Sequence, residues 1–179
     1  MDIEGIAGDR SSTRLERTVV RGWQGRFFED FEVGAVYTHR SGRTVHAQEG
    51  SWFALLTQNT APIHFDEHYA AQTEWGKPLV DPAFTLALVT GQSSSDVSQN
   101  AATTLGWDRI RPGTPVFSGD TIYSQSEVLE IRDSHSRADV GIVTVETTGY
   151  NQTGAVVIAF QRTLLIYRRG RAPAVSLHS

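Results

Sequence analysis

Asp81-Pro82-Ala83-Phe84-Thr85-Leu86-Ala87-Leu88-Val89-Thr90-Gly91 reads as the start and body of one apolar helix, and this stretch decides the fold. Asp81 is an N-cap acceptor, and Pro82, with its φ pre-set and no N–H to satisfy, suits the first helical position. From Pro82 to about Ser94 the side chains are apolar almost all round, which predicts a helix buried in a core rather than lying on a surface. Downstream, Thr121–Arg132, Val140–Asn151 and Ala155–Arg168 are rich in Val, Ile, Thr and Tyr and read as long strands. Gly119-Asp120 breaks the chain before the first of them, and Asn151-Gln152-Thr153-Gly154 is a hairpin signal between the last two. One such helix with several long antiparallel strands predicts an α+β domain, a curved sheet wrapped around a central helix. The sheet would have an open edge that dimerisation could cover.

Upstream, residues 1–26 lack periodicity and read as a flexible arm with a short helix around Arg14–Val20. The domain proper is expected over residues 27–168, and residues 169–179 as a loose tail. Ala35–Arg43 and Thr44-Val45 are extended segments. Ala47–Thr57 is a helix with Trp52, Phe53, Leu55 and Leu56 on one side and Glu49 placed to close its N-terminus on His46. Asp66 caps a second short helix, Glu67–Thr73, which Trp75-Gly76 ends.

Composition excludes several functions. The chain has 179 residues, enough for one domain with a substantial core, and 39% apolar against 20% charged residues fits a water-exposed globular protein. No apolar run is long enough to span a membrane, and a cytoplasmic location is the default expectation. With no cysteine there is neither a disulfide nor a thiolate metal site nor a cysteine nucleophile. A formal charge of −4 gives no reason to expect nucleic acid, although only Lys77 among the sixteen basic residues is a lysine. His39, His46, His68, His135 and His178 are scattered without metal-ligand spacing, so no metal is expected. Gln92-Ser93-Ser94-Ser95-Asp96 has no Gly-x-Ser-x-Gly elbow around it, so a hydrolase triad is unsupported.

The chemistry concentrates in Gln58-Asn59-Thr60-Ala61-Pro62-Ile63-His64-Phe65-Asp66, where a polar turn delivers a histidine beside an amide. With Pro78-Leu79-Val80 before the helix and Gly119-Asp120-Thr121 before the strands, this segment resembles the MaoC-like hydratase/dehydratase family over about residues 28 to 168. Thr85–Gln92 and Leu105-Gly106-Trp107 resemble its mesaconyl-CoA hydratase branch. The resemblance implies a hotdog fold, at least a homodimer, and a hydro-lyase acting on a short, branched or dicarboxylic enoyl-CoA or 3-hydroxyacyl-CoA. Coenzyme A would enter as part of the acyl-CoA substrate, with no separate cofactor. It places an Asp and a His around one water, and backbone amides at the central helix start against the thioester carbonyl. Adding water across such a thioester needs a proton acceptor and donor and stabilisation of an enolate oxygen.

The sequence departs from that pattern twice. Asn59 stands where the family has its Asp, and an amide cannot act as a base. Asp81-Pro82 stands where the family has His-Gly, and proline has no N–H to offer. His64 could then carry both proton steps alone while Asn59 orients water, or Asp81 could supply the lost carboxylate from the other side of the cleft. The Asp-Pro start signal favours an ordinary N-cap for Asp81 over that role. On sequence grounds, Asn59→Asp restores the family's base. Pro82, Ala83 and Phe84 are expected to meet the acyl thioester, and Lys77, Arg109 and Arg111 the phosphates of coenzyme A. A hotdog thioesterase, or a catalytically silent acyl-CoA-binding or assembly subunit, would use the same fold.

Overall fold

The computed structural model describes residues 22–173, so the expected helix near Arg14–Val20 and the end of the tail lie outside the described residues. Its framework is an antiparallel sheet of four long strands: β3 (Ala101–Pro112), β4 (Thr121–Asp133), β5 (Val140–Tyr150) and β6 (Val156–Tyr167). Two short strands, β1 (Val36–Thr38) and β2 (Arg43–Thr44), pair with β4, and the order across the sheet is β1-β4-β5-β6-β3. The β5–β6 hairpin turns where the sequence placed it. The Gly154 N–H donates to the Asn151 carbonyl at 3.0 Å, and the Asn151 side chain accepts from the Ala155 N–H at 3.0 Å. Gly154 sits at φ +81°, a conformation that favours glycine.

Strand β3 was not legible from composition, because Gly106, Asp108, Arg109 and Pro112 dilute the β-branched pattern. It is held to β6 through a register running from Ala101↔Ile166 to Pro112↔Ile158, interrupted by three irregularities. Arg109 lies in the last of these at φ +51°. The outer side of β3 is an open sheet edge in this chain, and Leu105, Trp107 and Ile110 stand exposed along it.

Helix α1 (Ala47–Leu56) packs through Gly50, Ala54 and Phe53, and the rings of Phe53 and Phe84 meet edge to face at 5.5 Å. Trp52, Leu55 and Leu56 do not join the core as their clustering predicts; each is more than half exposed. Helix α2 (Glu67–Ala70) is a single turn, shorter than expected, with the Asp66 carboxylate accepting from the Tyr69 N–H at 2.9 Å. Helix α3 (Pro82–Ser93) is the central helix and passes into a π-helical turn at Ser94–Ser98.

The expectation that α3 is buried on all sides is corrected. Thr85, Val89, Ser93 and Val97, four residues apart, face the sheet and are buried, whereas Pro82, Ala83, Ala87 and Gly91 are open. One sheet can cover only one face of a helix. The covered face fits closely. Gly149 on β5 lies under it, and a Cβ there would come within 2.7 Å of Val89 Cγ2. The core beneath α3 is Val45, Val80, Val89, Val116, Ile122, Val157, Ile158 and Phe160. This is the α+β hotdog architecture that the resemblance implies.

The described residues of the segments assigned to arm and tail include some that pack against the domain. Trp23 Nε1 donates to the Ser95 carbonyl at 2.9 Å, and Arg26 pairs with Asp96 at 3.0 Å. At the other end, the Arg169 N–H donates to Glu29 Oε2 at 3.0 Å.

Candidate active site

Pro62–His64 forms one tight 3-10 turn, and the ring of His64 is strapped to the segment leading into α3. Its Nδ1 donates to the Leu79 carbonyl at 3.0 Å, while the Leu79 N–H donates back to the Ile63 carbonyl at 3.1 Å. A backbone carbonyl can only accept, so the neutral ring carries its proton on Nδ1 and leaves the Nε2 lone pair free. Nε2 has no hydrogen-bond partner among the described residues.

His64 stands in the wall between two cavities. One, of about 290 Å³, is mostly apolar and runs along Pro82, Thr85, Val116, Val157 and Ile158 to Pro112 at the end of β3. The other, of about 150 Å³, is the more polar of the two, with His46, Ser51, Glu67, Lys77 and Ser118 in its wall. A group with a free basic nitrogen at the end of an apolar recess is placed to move a proton to or from a small, mostly hydrophobic reactant.

Asn59 and Asp81 meet each other rather than a cavity. Asn59 Nδ2 donates to Asp81 Oδ2 at 2.7 Å, and Asn59 Oδ1 accepts from the Ala61 N–H at 3.0 Å. The other carboxylate oxygen of Asp81 accepts from the Ala83 N–H at 2.7 Å, the N-cap bond. Asp81 is 7% exposed, and neither residue lines either of the cavities that His64 borders. The pair clips the His64-bearing loop to the start of the central helix.

The expected substrate contacts divide accordingly. Pro82 lines the apolar cavity, but the Ala83 N–H is spent on Asp81, and Phe84 packs against Phe53. Lys77 lines the polar cavity, its ammonium 4.3 Å from the centre of the Phe117 ring. Arg111 is exposed beside the cavity-lining Pro112, and Arg109 lies further along β3 on its exposed bulge. The structure thus brings His64, Pro82 and Lys77 to one locus, ties Asn59 to Asp81 behind it, and leaves the two arginines on the sheet edge.

Sequence reading missed a second polar feature, a buried network below the far end of α3. His39 Nδ1 lies 3.0 Å from Asp96 Oδ2, His39 Nε2 lies 2.9 Å from Ser126 Oγ, and Ser126 Oγ lies 2.8 Å from Thr147 Oγ1. The order Asp, His, Ser is that of a hydrolase triad, but Ser126 and Thr147 are fully buried and bonded to each other, so no ester reaches them. Burial pushes the His39 imidazole below its ordinary value against the pull of Asp96. Burial pushes Asp96 up, and hydrogen bonds from His39 and Arg26 outweigh it and hold the carboxyl below its usual range. Arg162 is buried nearby, with Nη2 2.5 Å from Ser93 Oγ, and burial brings its guanidinium down to about 10, still charged at neutral pH. These residues span more than a hundred positions, and no local pattern announces them.

Among the described residues, no group of three or more His, Asp or Glu side chains is arranged to hold a metal ion, and no helix is long and apolar enough to cross a membrane.

The sequence model of the mesaconyl-CoA hydratase family matches residues 7–175. Mesaconyl-CoA hydratase of Cereibacter sphaeroides is 32% identical over 148 residues, covering 83% of this chain and 43% of its own length. The (R)-specific enoyl-CoA hydratase of Aeromonas caviae is 28% identical over 130 residues, covering 73% of this chain and 91% of that enzyme. A solved structure of a MaoC domain dehydratase from Chloroflexus aurantiacus superposes with a TM-score of 0.80 at 26% identity, over 90% of this chain and 46% of that one. The chain therefore spans less than half the length of its mesaconyl-CoA hydratase relative and nearly all of the shorter Aeromonas enzyme.

Proposed function

The chain belongs to the mesaconyl-CoA hydratase family, and on that premise we propose that it is a hydro-lyase. It adds water to the double bond of a short enoyl-CoA, branched or dicarboxylic, or removes it from the 3-hydroxyacyl-CoA. The observation that carries this reading is His64, its Nδ1 held by the Leu79 carbonyl and its Nε2 unpartnered in the wall of a 290 Å³ apolar cavity. The acyl chain occupies that cavity, and the coenzyme A arm leaves past the β3 end, where Arg111 meets a phosphate. Lys77 and the polar cavity lie on the other side of the imidazole, within reach of a polar acyl terminus.

His64 serves as both base and acid. Asn59 and Asp81 are positioning residues, because each oxygen of the Asp81 carboxylate already accepts a hydrogen bond and Asn59 is committed at both ends. A homodimer, or a multiple of it, is the working form. The open edge of β3, with Leu105, Trp107 and Ile110 exposed, is the surface a partner's strand would cover, and its last residue lines the cavity.

The test is direct. Purified protein is incubated with a panel of enoyl-CoA and 3-hydroxyacyl-CoA esters, following water addition, water loss and free thiol separately. Hydration that falls by about 10²–10⁴-fold in His64→Ala, with the fold intact, is the expected result for a general acid–base group. Release of free thiol instead would indicate a thioesterase. Acyl-CoA binding without turnover would indicate a silent binding subunit.

A further inference from the structure

Thr85 is the polar side chain of the apolar cavity that nothing in the protein accounts for. It lies one turn into α3, is only 3% exposed, and lines the cavity together with His64, Pro82 and Val157. Its N–H donates to the Asp81 carbonyl at 3.2 Å, closing the first helical turn. Its hydroxyl has no hydrogen-bond partner among the described residues. It is not sealed in as the equally unpartnered Thr90 Oγ1 is, so the open space it reaches is the cavity. A hydroxyl kept in the wall of an apolar recess with no partner from the protein calls for an explanation, and a ligand that accepts from it supplies one.

What the cavity lacks is a donor from the first two positions of α3 for the thioester oxygen. Pro82 has no N–H, and the Ala83 N–H is committed to Asp81 at 2.7 Å. The Val80, Gly113 and Thr114 N–H groups on the wall are committed as well, to the carbonyls of Val116, Val157 and Val156. Thr114 stands at the rim and is exposed. Resting on the hydro-lyase reading above, we infer that the Thr85 hydroxyl is a catalytic hydrogen-bond donor to the thioester carbonyl oxygen, in place of the helix-start amides.

The step balances with His64 as the only proton carrier. The oxygen of a water attacks C3 of the enoyl thioester while its proton passes to His64 Nε2. The C2=C3 electron pair shifts toward C1, and the negative charge that develops on the thioester oxygen is met by the Thr85 O–H. His64 Nε2–H then returns the proton to C2 as the carbonyl re-forms. One water is added, nothing is oxidised, and His64 ends as it began. Because a single imidazole delivers both proton steps from one wall, hydroxyl and hydrogen add to the same face.

The experiment compares Thr85→Val, which keeps the shape without the hydroxyl, Thr85→Ser, which keeps the hydroxyl, and Thr38→Val, an exposed threonine on β1 outside both cavities, as a control. Turnover of the enoyl-CoA panel is measured alongside the infrared carbonyl stretch of bound butyryl-CoA, a saturated thioester that cannot react. Thr85→Val should lower kcat by about 10²–10³-fold, the range for one lost oxyanion donor, with KM nearly unchanged. It should also raise the carbonyl stretch of the bound thioester. Thr85→Ser should retain most of both signals, and Thr38→Val all of both. An unchanged carbonyl frequency in Thr85→Val, or a Thr85→Ser as impaired as Thr85→Val, overturns the assignment. If the wild type hydrates nothing on the panel yet shows the Thr85-dependent carbonyl shift, the hydro-lyase reading fails and the donor stands. If butyryl-CoA does not bind and nothing on the panel is hydrated, both fail.

Discussion

Replacing Asn59 by Asp tests whether the Asn59–Asp81 clip exists, and the structure reverses what the sequence alone expects of it. From the family pattern, Asn59→Asp restores a catalytic base. In the fold it turns a 2.7 Å hydrogen bond into two carboxylates facing each other beside a buried N-cap. Like charges that close do not both ionise, so the pair holds one shared proton at moderate pH. Above the pH where that proton leaves, the fold loses a hydrogen bond to a charged group and gains repulsion. The lost bond alone is worth about 1.5–3 kcal/mol, and with repulsion the total is about 2–4 kcal/mol. For a chain of this size that lowers Tm by roughly 5–15 °C. The sign follows from linkage. The new carboxyl binds its proton more tightly in the folded than in the unfolded state, so the penalty is absent at acid pH and grows as pH rises through the pair's folded-state titration. Thermal unfolding from pH 5 to pH 8 should show Asn59→Asp close to wild type at the acid end and well below it at the alkaline end. The exchanged double variant Asn59→Asp/Asp81→Asn should recover, since Asn caps a helix about as well as Asp and its amide can donate back. An Asn59→Asp protein with wild-type Tm at pH 8 would refute the clip.

Gly149→Ala should destabilise by about 1–3 kcal/mol, the usual cost of overpacking, because its Cβ would meet Val89 Cγ2 at 2.7 Å and lift α3 from the sheet; denaturant titration measures this. His39 is held neutral by burial, so as pH falls below the ordinary imidazole value of 6.5 the unfolded chain takes up a proton that the fold refuses, and stability drops. In His39→Asn the loss between pH 7 and pH 5 should flatten, by up to about 1.4 kcal/mol per pH unit, read as Tm against pH. Light scattering should find a dimer or a multiple of it, and Trp107→Glu, placing a charge on the exposed β3 edge, should shift it toward monomer; a wild-type monomer at micromolar concentration would exclude the paired edge.

What is encoded locally was readable from the residues alone. Asp81-Pro82 started the central helix where it starts, Asn151–Gly154 turned the hairpin, and the β-branched runs gave β4, β5 and β6 nearly to the residue, because caps, turns and periodicity act over a few neighbouring positions. His64 was legible for the same reason, since its Pro-Ile-His turn is contiguous. Strand β3 was not, because its pairing is supplied by β6, fifty residues on, rather than by its own composition. The one-sided burial of α3 and the outward Trp52, Leu55 and Leu56 were likewise settled by which surfaces the sheet reaches. The chemistry around His64 was set by the folded arrangement. It joined Asn59 to Asp81 across twenty-two positions, spent the Ala83 N–H on that carboxylate, and left the Thr85 hydroxyl unpartnered in the cavity. A hydrogen bond depends on where two groups lie in space, and for residues far apart in the chain only packing fixes that.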